Sequence, residues 1–203
     1  MGGEKHTLPP VLEDIVSRWV DRYGDRAHVA ELERLVACSE FAGATLLRNK
    51  QWFLDNVRAF ADPPDAALLD RQVAEVDNLA DAKALLRRFR NRFMLHVLWR
   101  EVFGLADLDE TLGSLTALAD RSLDAATRAA ERELAPRFGV VRNDDGAKVP
   151  LVVLGMGKLG GFELNFSSDI DLIFLYPEDG VTDGPRQASA QEYFGRLTRL
   201  VIA

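Results

Sequence analysis

Two aspartates separated by one residue, Asp169 and Asp171, are the side chains of this sequence best placed for chemistry. They lie at the start of an apolar run, Ile170–Tyr176, which predicts a strand. Side chains two residues apart on a strand project from the same face, so these carboxylates would lie side by side. Carboxylates that close repel one another unless a cation lies between them. The pair therefore predicts a metal site, and the alternative is an acidic strand edge that discourages aggregation.

Mg²⁺ is the cation that fits this pattern when phosphate is present, because it accepts one or two carboxylates and completes its octahedron with water and phosphate oxygens. A glycine-rich segment, Gly155–Gly161, precedes the acids and follows the apolar run Val149–Leu154. Exposed backbone amides in such a segment can hold phosphate. The two features together favour metal-assisted phosphoryl or nucleotidyl transfer over the acidic-edge alternative.

The same segment contains the string G-x-G-x-x-G, which is a fingerprint of dinucleotide-binding proteins. That fingerprint requires a full helix between the glycines and a parallel strand. Only the seven residues Phe162–Ser168 separate Gly161 from the acids, too few for such a helix. A P-loop is also excluded, because Lys158 is followed by Leu159 and not by serine or threonine.

The stretch Gly157–Leu172 resembles the nucleotidyltransferase pattern of the DNA polymerase beta superfamily, a glycine followed after about ten residues by two acids one residue apart. Most members have glycine or serine where this chain has Lys158. The longer string Gly155–Phe174 resembles one branch, the family of bifunctional glutamine synthetase adenylyltransferase/adenylyl-removing enzymes, in which lysine is the rule. Glu163–Asp171 reads ELNFSSDID and is similar to the amino-terminal, AMP-removing domain of that family. Two helical segments, 37–47 and 87–101, also resemble its amino-terminal portion.

The resemblance implies both a reaction and the residues that carry it. Inorganic phosphate would attack adenylyl-tyrosine on glutamine synthetase, releasing ADP and the unmodified tyrosine. Asp169 and Asp171 would be the catalytic residues and the Mg²⁺ ligands. Nucleotide and phosphate oxygens would be held by Gly157, Lys158, Gly160, Gly161 and Ser168. For Lys158 a purely solvated position stays open. The PII signalling protein and ATP would be further partners.

Three expectations about completeness follow from the resemblance. The superfamily needs a third carboxylate from a later strand, and the family segment that supplies it, similar to Val-Asp-x-Arg-Leu-Arg-Pro, is absent from these residues. The last amphipathic pattern runs to Ala203 without a capping residue, so we expect a truncated fragment. Because the third carboxylate is missing, we expect this fragment by itself to be inactive or severely impaired. Two alternatives stay open: a non-catalytic module that binds nucleotide or a regulator, and the AMP-adding half of the enzyme.

The elements that must position the site predict an α+β fold. Residues 1–137 are expected to be helical, and residues 138–203 to form the amino-terminal part of an incomplete polymerase-beta-like nucleotidyltransferase sheet with helices. The periodicity predicts long helices at about Asp81–Phe103 and Asp109–Pro136 and a final helix from about Ala188. Asp145-Gly146 predicts a hairpin whose arms are Val140-Val141 and Val149–Leu154.

Composition excludes several classes of protein. The 203 residues are 47% hydrophobic and 28% charged, as in soluble globular proteins, and the net charge of −7 argues against a nucleic-acid binder. The single cysteine, Cys38, excludes an intramolecular disulfide and is expected to be buried. The start MGGEKHTLPP lacks the apolar core of a signal peptide, and no uncharged run is long enough to span a bilayer. A cytoplasmic protein without a membrane partner is expected.

Overall fold

The computed structural model describes residues 10–24 and 29–203. Residues 1–9 and 25–28 lie outside this description. The prediction about a signal peptide concerns residues 1–10, so nearly all of that segment lies outside the described residues. The described chain divides into two compact units. The first contains the residues up to Pro64 and the segment Met94–Leu108, and the second contains Asp65–Phe93 and Asp109–Ala203. None of the described helices is long and apolar enough to cross a membrane.

Short helices build the first unit. They are α1 (Pro10–Tyr23), α2 (Val29–Cys38), α3 (Glu40–Arg48) and α4 (Lys50–Asn56), followed by a 3-10 turn at Val57–Ala61. Their apolar faces share one core, which includes Leu32, Leu35, Leu46, Phe53 and Phe60. Gly43 allows α1 and α3 to approach closely, because a Cβ there would lie 3.2 Å from the ring of Trp19. The indole Nε1 of Trp19 donates to the Gly43 carbonyl at 2.8 Å.

A buried arginine fixes the end of this unit. Arg100 is 4% exposed, and its guanidinium donates to the carbonyls of Phe60, Ala61 and Leu105. The prediction for Cys38 is wrong, because the thiol is exposed. The physical reason is helical geometry: Cys38 lies two residues after the buried Val36, on the opposite side of α2.

Three helices follow the 3-10 turn and precede the first strand: α5 (Leu68–Ala74), α6 (Leu79–Val102) and α7 (Leu108–Phe138). The long helices α6 and α7 confirm the predicted periodicity to within about two residues. α7 continues past Pro136 to the buried Phe138, and Gly139, whose φ is +67°, follows its last residue. In the second unit, Asp70 of α5 accepts hydrogen bonds from Arg121 and Arg128 of α7 at 2.8 and 2.5 Å.

Four short strands in the described part of the chain make the fold α+β, as predicted. β1 (Val141–Arg142) pairs with β4 (Val181–Thr182), and β2 (Val152–Gly155) pairs with β3 (Leu172–Leu175), both antiparallel. The predicted hairpin is only partly correct. Its turn exists, since Asn143 N donates to Ala147 O at 3.0 Å and Val149 N donates to Val141 O at 2.9 Å. The pairing then stops at Pro150, which has no N–H to donate, and β2 pairs with β3 instead.

The final helix, α9 (Ala190–Ile202), begins two residues later than predicted because Ser189 caps it, accepting from Glu192 N at 3.2 Å. Its apolar face buries Tyr193, Phe194 and Leu197 in a core with Phe138, Val141 and Val149. Burial, and then the charge of Glu131, raise the pKa of Tyr193 to about 12. This core belongs to the same unit as the segment 151–176, which carries the predicted site.

Candidate active site

The predicted site is built on the paired strands β2 and β3. Their register places Gly155 opposite Leu172. One further hydrogen bond continues the ladder, from the Met156 amide to the Asp171 carbonyl at 2.9 Å. The start of the glycine turn and the second aspartate, fifteen residues apart in the sequence, therefore lie side by side at one end of the strand pair.

The strand predicted over Ile170–Tyr176 is shorter in the structure, where β3 covers Leu172–Leu175. The reason is that β2 offers no partner beyond Met156, after which the chain turns into a helix. Asp169 therefore lies in the loop before the ladder. Side chains alternate between two faces only within a strand. The prediction that Asp169 and Asp171 project from one strand face therefore does not apply to Asp169.

The glycine segment forms one helical turn, α8 (Gly157–Gly160). Gly157 has φ +53°, a conformation that favours glycine. Gly160 lies so close to β2 that a Cβ there would be 2.5 Å from the Gly155 carbonyl oxygen. Met156 precedes the turn and makes no side-chain capping hydrogen bond, so no side chain caps the first amides of α8. The four-residue length of α8 agrees with the exclusion of a dinucleotide site.

The turn ends with a phenylalanine in a left-handed conformation. Phe162 has φ +59°, and its ring is 73% exposed. Phe162 N donates to Leu159 O at 3.1 Å, and Glu163 N donates to Lys158 O at 2.9 Å. This is a helix carboxyl-terminal cap at a position where glycine is usual. A bulky residue there costs about 1–2 kcal/mol relative to glycine.

The loop that leads to the acids is ordered by Asn165. Its Oδ1 accepts from the Ser167 amide at 3.2 Å, from the Ser167 hydroxyl at 3.3 Å and from the Ser168 hydroxyl at 2.6 Å. Asn165 therefore shapes this turn through local hydrogen bonds. The single hydroxyl proton of Ser168 is used in this bond, so Ser168 donates to a phosphate only after giving up Asn165.

The predicted ligand groups face solvent. The exposed residues are Lys158, Asp169, Asp171 and the three glycines Gly157, Gly160 and Gly161, and Ser168 is half-buried. Within residues 10–24 and 29–203 no group of three or more acidic, histidine or cysteine side chains could hold a metal. The two carboxylates still fit Mg²⁺, whose hard-oxygen preference is met by one or two protein carboxylates with water and phosphate completing the shell. Their assignment as metal ligands stays a prediction.

Helix α7 supplies residues behind the site that the motif alone does not reveal. Between Gly160 and Asp171 only Leu164 is buried, at 6% exposure, and its amide donates to the Thr116 hydroxyl at 3.4 Å. Thr116 is itself 3% exposed. The sequence signal for this contact is weak, because the helical stripe of α7 predicts Leu115 and Ala119 as core and leaves Thr116 beside them unassigned.

A cavity separates another part of α7 from β2 and the glycine turn. This cavity of about 300 Å³ is lined by Asp120, Leu123, Asp124, Thr127, Val153, Gly155 and Leu159. Burial, and then the charge of Asp124, raise the pKa of Asp120, which Arg121 partly offsets. The cavity therefore places Asp120, whose pKa is raised, beside the glycine turn and not among the predicted ligands.

The strand pair has an apolar face that stays exposed. Residues opposite one another on neighbouring strands share a face, and here the pairs are Val152 with Leu175 and Leu154 with Ile173. All four are 39–47% exposed. In the described residues β2 pairs with β3 alone.

The similarity of this chain to known proteins includes the glycine turn and the two aspartates and extends over most of its length. Residues 29–203 match the family described as glutamate-ammonia ligase adenylyltransferase. Curated relatives named "bifunctional glutamine synthetase adenylyltransferase/adenylyl-removing enzyme" are 43% identical over 166 residues in Stenotrophomonas maltophilia strain K279a and 42% identical over 166 residues in Xanthomonas campestris pv. campestris strain B100. Each alignment covers 82% of this chain and 17% of the relative.

A more distant relative of the same name, from Shewanella woodyi, is 33% identical over 210 residues, covering 94% of this chain and 22% of its own length. The chain therefore spans about a fifth of the length of the curated relatives it matches. The family match includes the helices from α2 onward as well as the glycine turn and both aspartates. This chain belongs to the glutamate-ammonia ligase adenylyltransferase family.

Proposed function

We propose that this chain carries the phosphate-binding turn and two metal-binding acids of a polymerase-beta-like nucleotidyltransferase site that removes AMP from adenylyl-tyrosine on glutamine synthetase. One observation carries the proposal: the Met156 amide bonds the Asp171 carbonyl at 2.9 Å. That bond brings the first amides of the glycine turn to the residue that bears the second carboxylate. A phosphate bound by the amides of the turn can thus contact a cation bound by the Asp171 carboxylate.

The proposed reaction exchanges one phosphorus–oxygen bond for another. An oxygen of inorganic phosphate attacks the phosphorus of the AMP group, and the bond from phosphorus to the tyrosyl oxygen breaks. ADP forms, and the tyrosyl oxygen takes up a proton from solvent. A bound Mg²⁺ would supply positive charge to the phosphate oxygens, with Asp169 and Asp171 as its protein ligands.

The remaining residues have positional roles in this proposal. The first backbone amides of α8 bind phosphate oxygens. The amides of Gly160 and Gly161 instead hold the turn together, since they donate to Met156 O at 3.3 Å and to Gly157 O at 3.0 Å. The exposed Lys158 adds positive charge at the same place. Ser168 has its hydroxyl committed to Asn165, so we assign it to phosphate binding only in an arrangement where that bond opens.

The choice of the AMP-removing half rests on the sequence ELNFSSDID over Glu163–Asp171. The names of the relatives cover both the adding and the removing activity, so they support the family and leave the half to experiment. PII signalling protein, ATP and ADP, and a cytoplasmic location follow from the same proposal. The site is testable through its two acids separately from these partners.

The decisive experiment uses the natural protein that carries these residues, with Asp169→Asn and Asp171→Asn as separate variants. The measurement is transfer of radiolabelled inorganic phosphate into ADP from adenylylated glutamine synthetase. Loss of a metal ligand that stabilises charge in the transition state costs several kcal/mol, so we expect a fall of about 100-fold or more. Asp145→Asn, an exposed acid in the turn before β2, is the matched control and should leave the rate unchanged.

Three outcomes separate the alternatives. Loss of ADP formation with AMP addition retained supports the AMP-removing assignment. Loss of AMP addition with ADP formation retained would show that this is the AMP-adding half. If neither activity changes, the chain is a non-catalytic binding module. The same assay on the 203-residue chain alone tests the expected impairment, which sustained turnover would contradict.

A further inference from the structure

We propose that Thr116, on helix α7, is a positioning residue that fixes the loop bearing the two metal-binding aspartates. The inference rests on the proposed function, since it concerns the order of the same site. Thr116 lies outside the glycine-and-aspartate motif, 53 residues before Asp169 in the sequence.

The loop between the glycine turn and the acids buries only one of its side chains. From Gly160 to Asp171 every residue is exposed or half-buried except Leu164. Asn165 orders residues 165–168 from within, but these hydrogen bonds join the loop only to itself. A local turn keeps its shape without fixing its place relative to the glycine turn.

Leu164 is the one buried residue of this loop, and it links the loop to helix α7. Its side chain is 6% exposed, and its amide donates to the Thr116 hydroxyl at 3.4 Å. Thr116 is 3% exposed and lies inside α7, a helix of 31 residues, so the acceptor stands on a rigid element. A buried amide without an acceptor is costly, so removal of this hydroxyl favours loop positions in which water reaches the Leu164 amide.

The consequence for the acids follows from their place in the chain. Asp171 is fixed from one side by the bond from Met156. Asp169 lies before the ladder, so its position depends on the loop. The loop in turn depends on Leu164 and Thr116. Ligands held in place bind a cation more tightly than ligands that must be ordered first. Thr116 therefore acts on metal affinity through Leu164, without touching metal or substrate.

The experiment compares Thr116→Val, which keeps the side-chain shape and removes the acceptor, with Thr116→Ser, which keeps the hydroxyl. In the isotope-labelled 203-residue chain, the first readout is hydrogen exchange at the Leu164 amide. The second is the Mn²⁺ concentration that half-broadens the amide resonances of Ile170 and Asp171. Valine should raise both the exchange rate and the half-broadening concentration about two- to tenfold, the range that one net hydrogen bond represents. Serine should stay near the native values.

Each outcome decides the proposal. A folded Thr116→Val chain with native exchange at Leu164 and native Mn²⁺ dependence overturns it, and so does a Thr116→Ser chain as weakened as the valine variant. If valine disturbs folding, Thr116→Ala, which also lacks the acceptor and adds no volume, replaces it with the same criteria.

A double variant, Asp169→Asn with Asp171→Asn, separates this proposal from the proposed function. If the double variant still shows native broadening, the acids are not the metal ligands and the proposed function fails. Exchange at Leu164 then still judges the attachment of the loop, and native exchange in Thr116→Val overturns the role of Thr116.

Discussion

The amide of Met156 and the carbonyl of Asp171 are joined by a hydrogen bond of 2.9 Å that continues the ladder of β2 and β3 by one step. Because β2 turns into α8 immediately afterwards, the ladder can go no further. The bond is therefore the last backbone hydrogen bond of the strand pair at this end, and it joins the start of the glycine turn to the second aspartate.

The approach of Gly160 to β2 makes it intolerant of a side chain. A Cβ at Gly160 would lie 2.5 Å from the Gly155 carbonyl oxygen, so Gly160→Ala must displace the turn. We expect a loss of about 1–3 kcal/mol in the free energy of unfolding, measured by urea titration. Gly113→Ala is the control, because that Cβ would meet nothing within 4 Å beyond the neighbouring residues and backbone of its own helix. Alanine there favours the helix by about 0.5–1 kcal/mol. Equal effects of the two substitutions would contradict the packing described here.

The turn at Asn165 depends on a single acceptor oxygen. Asn165→Ala removes the partner of the Ser167 amide and of the Ser168 hydroxyl. We expect faster hydrogen exchange at the Ser167 amide and a loss of about 1–2 kcal/mol in stability. Asn165→Asp keeps an acceptor at the same place and should retain most of the protection. Protection of Ser167 that survives in the alanine variant would show that the turn is held by other contacts.

Asp183 contributes to stability in a pH-dependent way. The Val140 amide donates to its Oδ1 at 2.8 Å and the Arg142 Nε donates to its Oδ2 at 2.6 Å. These bonds, the amide first, lower the pKa of Asp183. A carboxyl whose folded pKa is depressed stabilises the fold above its unfolded pKa of about 3.9, and this contribution disappears as pH falls through the folded pKa.

Asp183→Asn should therefore lower the free energy of unfolding at pH 6, and the difference from the native chain should shrink below about pH 4. Urea titrations at several pH values measure this difference. Asp145→Asn, in an exposed turn, serves as the control. A difference that stays constant from pH 6 to pH 3 would show that packing and not ionisation accounts for the effect.

Tyr193 gives the opposite dependence at high pH. Its pKa is raised to about 12, mainly by burial. A group whose folded pKa is raised stabilises the fold fully below its unfolded pKa of about 10 and loses that contribution as pH rises towards 12. Tyr193→Phe should flatten the fall in stability between pH 10 and pH 12, as followed by denaturant unfolding. A fall as steep as in the native chain would assign it to other groups.

The periodicity and spacing of single segments predict much of this fold. The stripes of α6 and α7 predict both long helices because 3.6-residue periodicity is a property of a single segment. The seven residues between Gly161 and Asp169 exclude a crossover helix by length alone. Pairing is not local in this sense. The turn at Asn143–Ala147 was predicted, yet Pro150 ends that ladder and β2 finds its partner in β3.

The sequence by itself determined the family and the α+β class, and its spacing along one segment predicts the residues of the candidate site. Only the tertiary structure decided that β3 starts after Asp171, that the hydroxyl of Ser168 is bound to Asn165, and that Thr116 receives the Leu164 amide. Such contacts depend on where distant segments meet. No periodicity or spacing within one segment encodes which hydroxyl of α7 lies under a loop about fifty residues later.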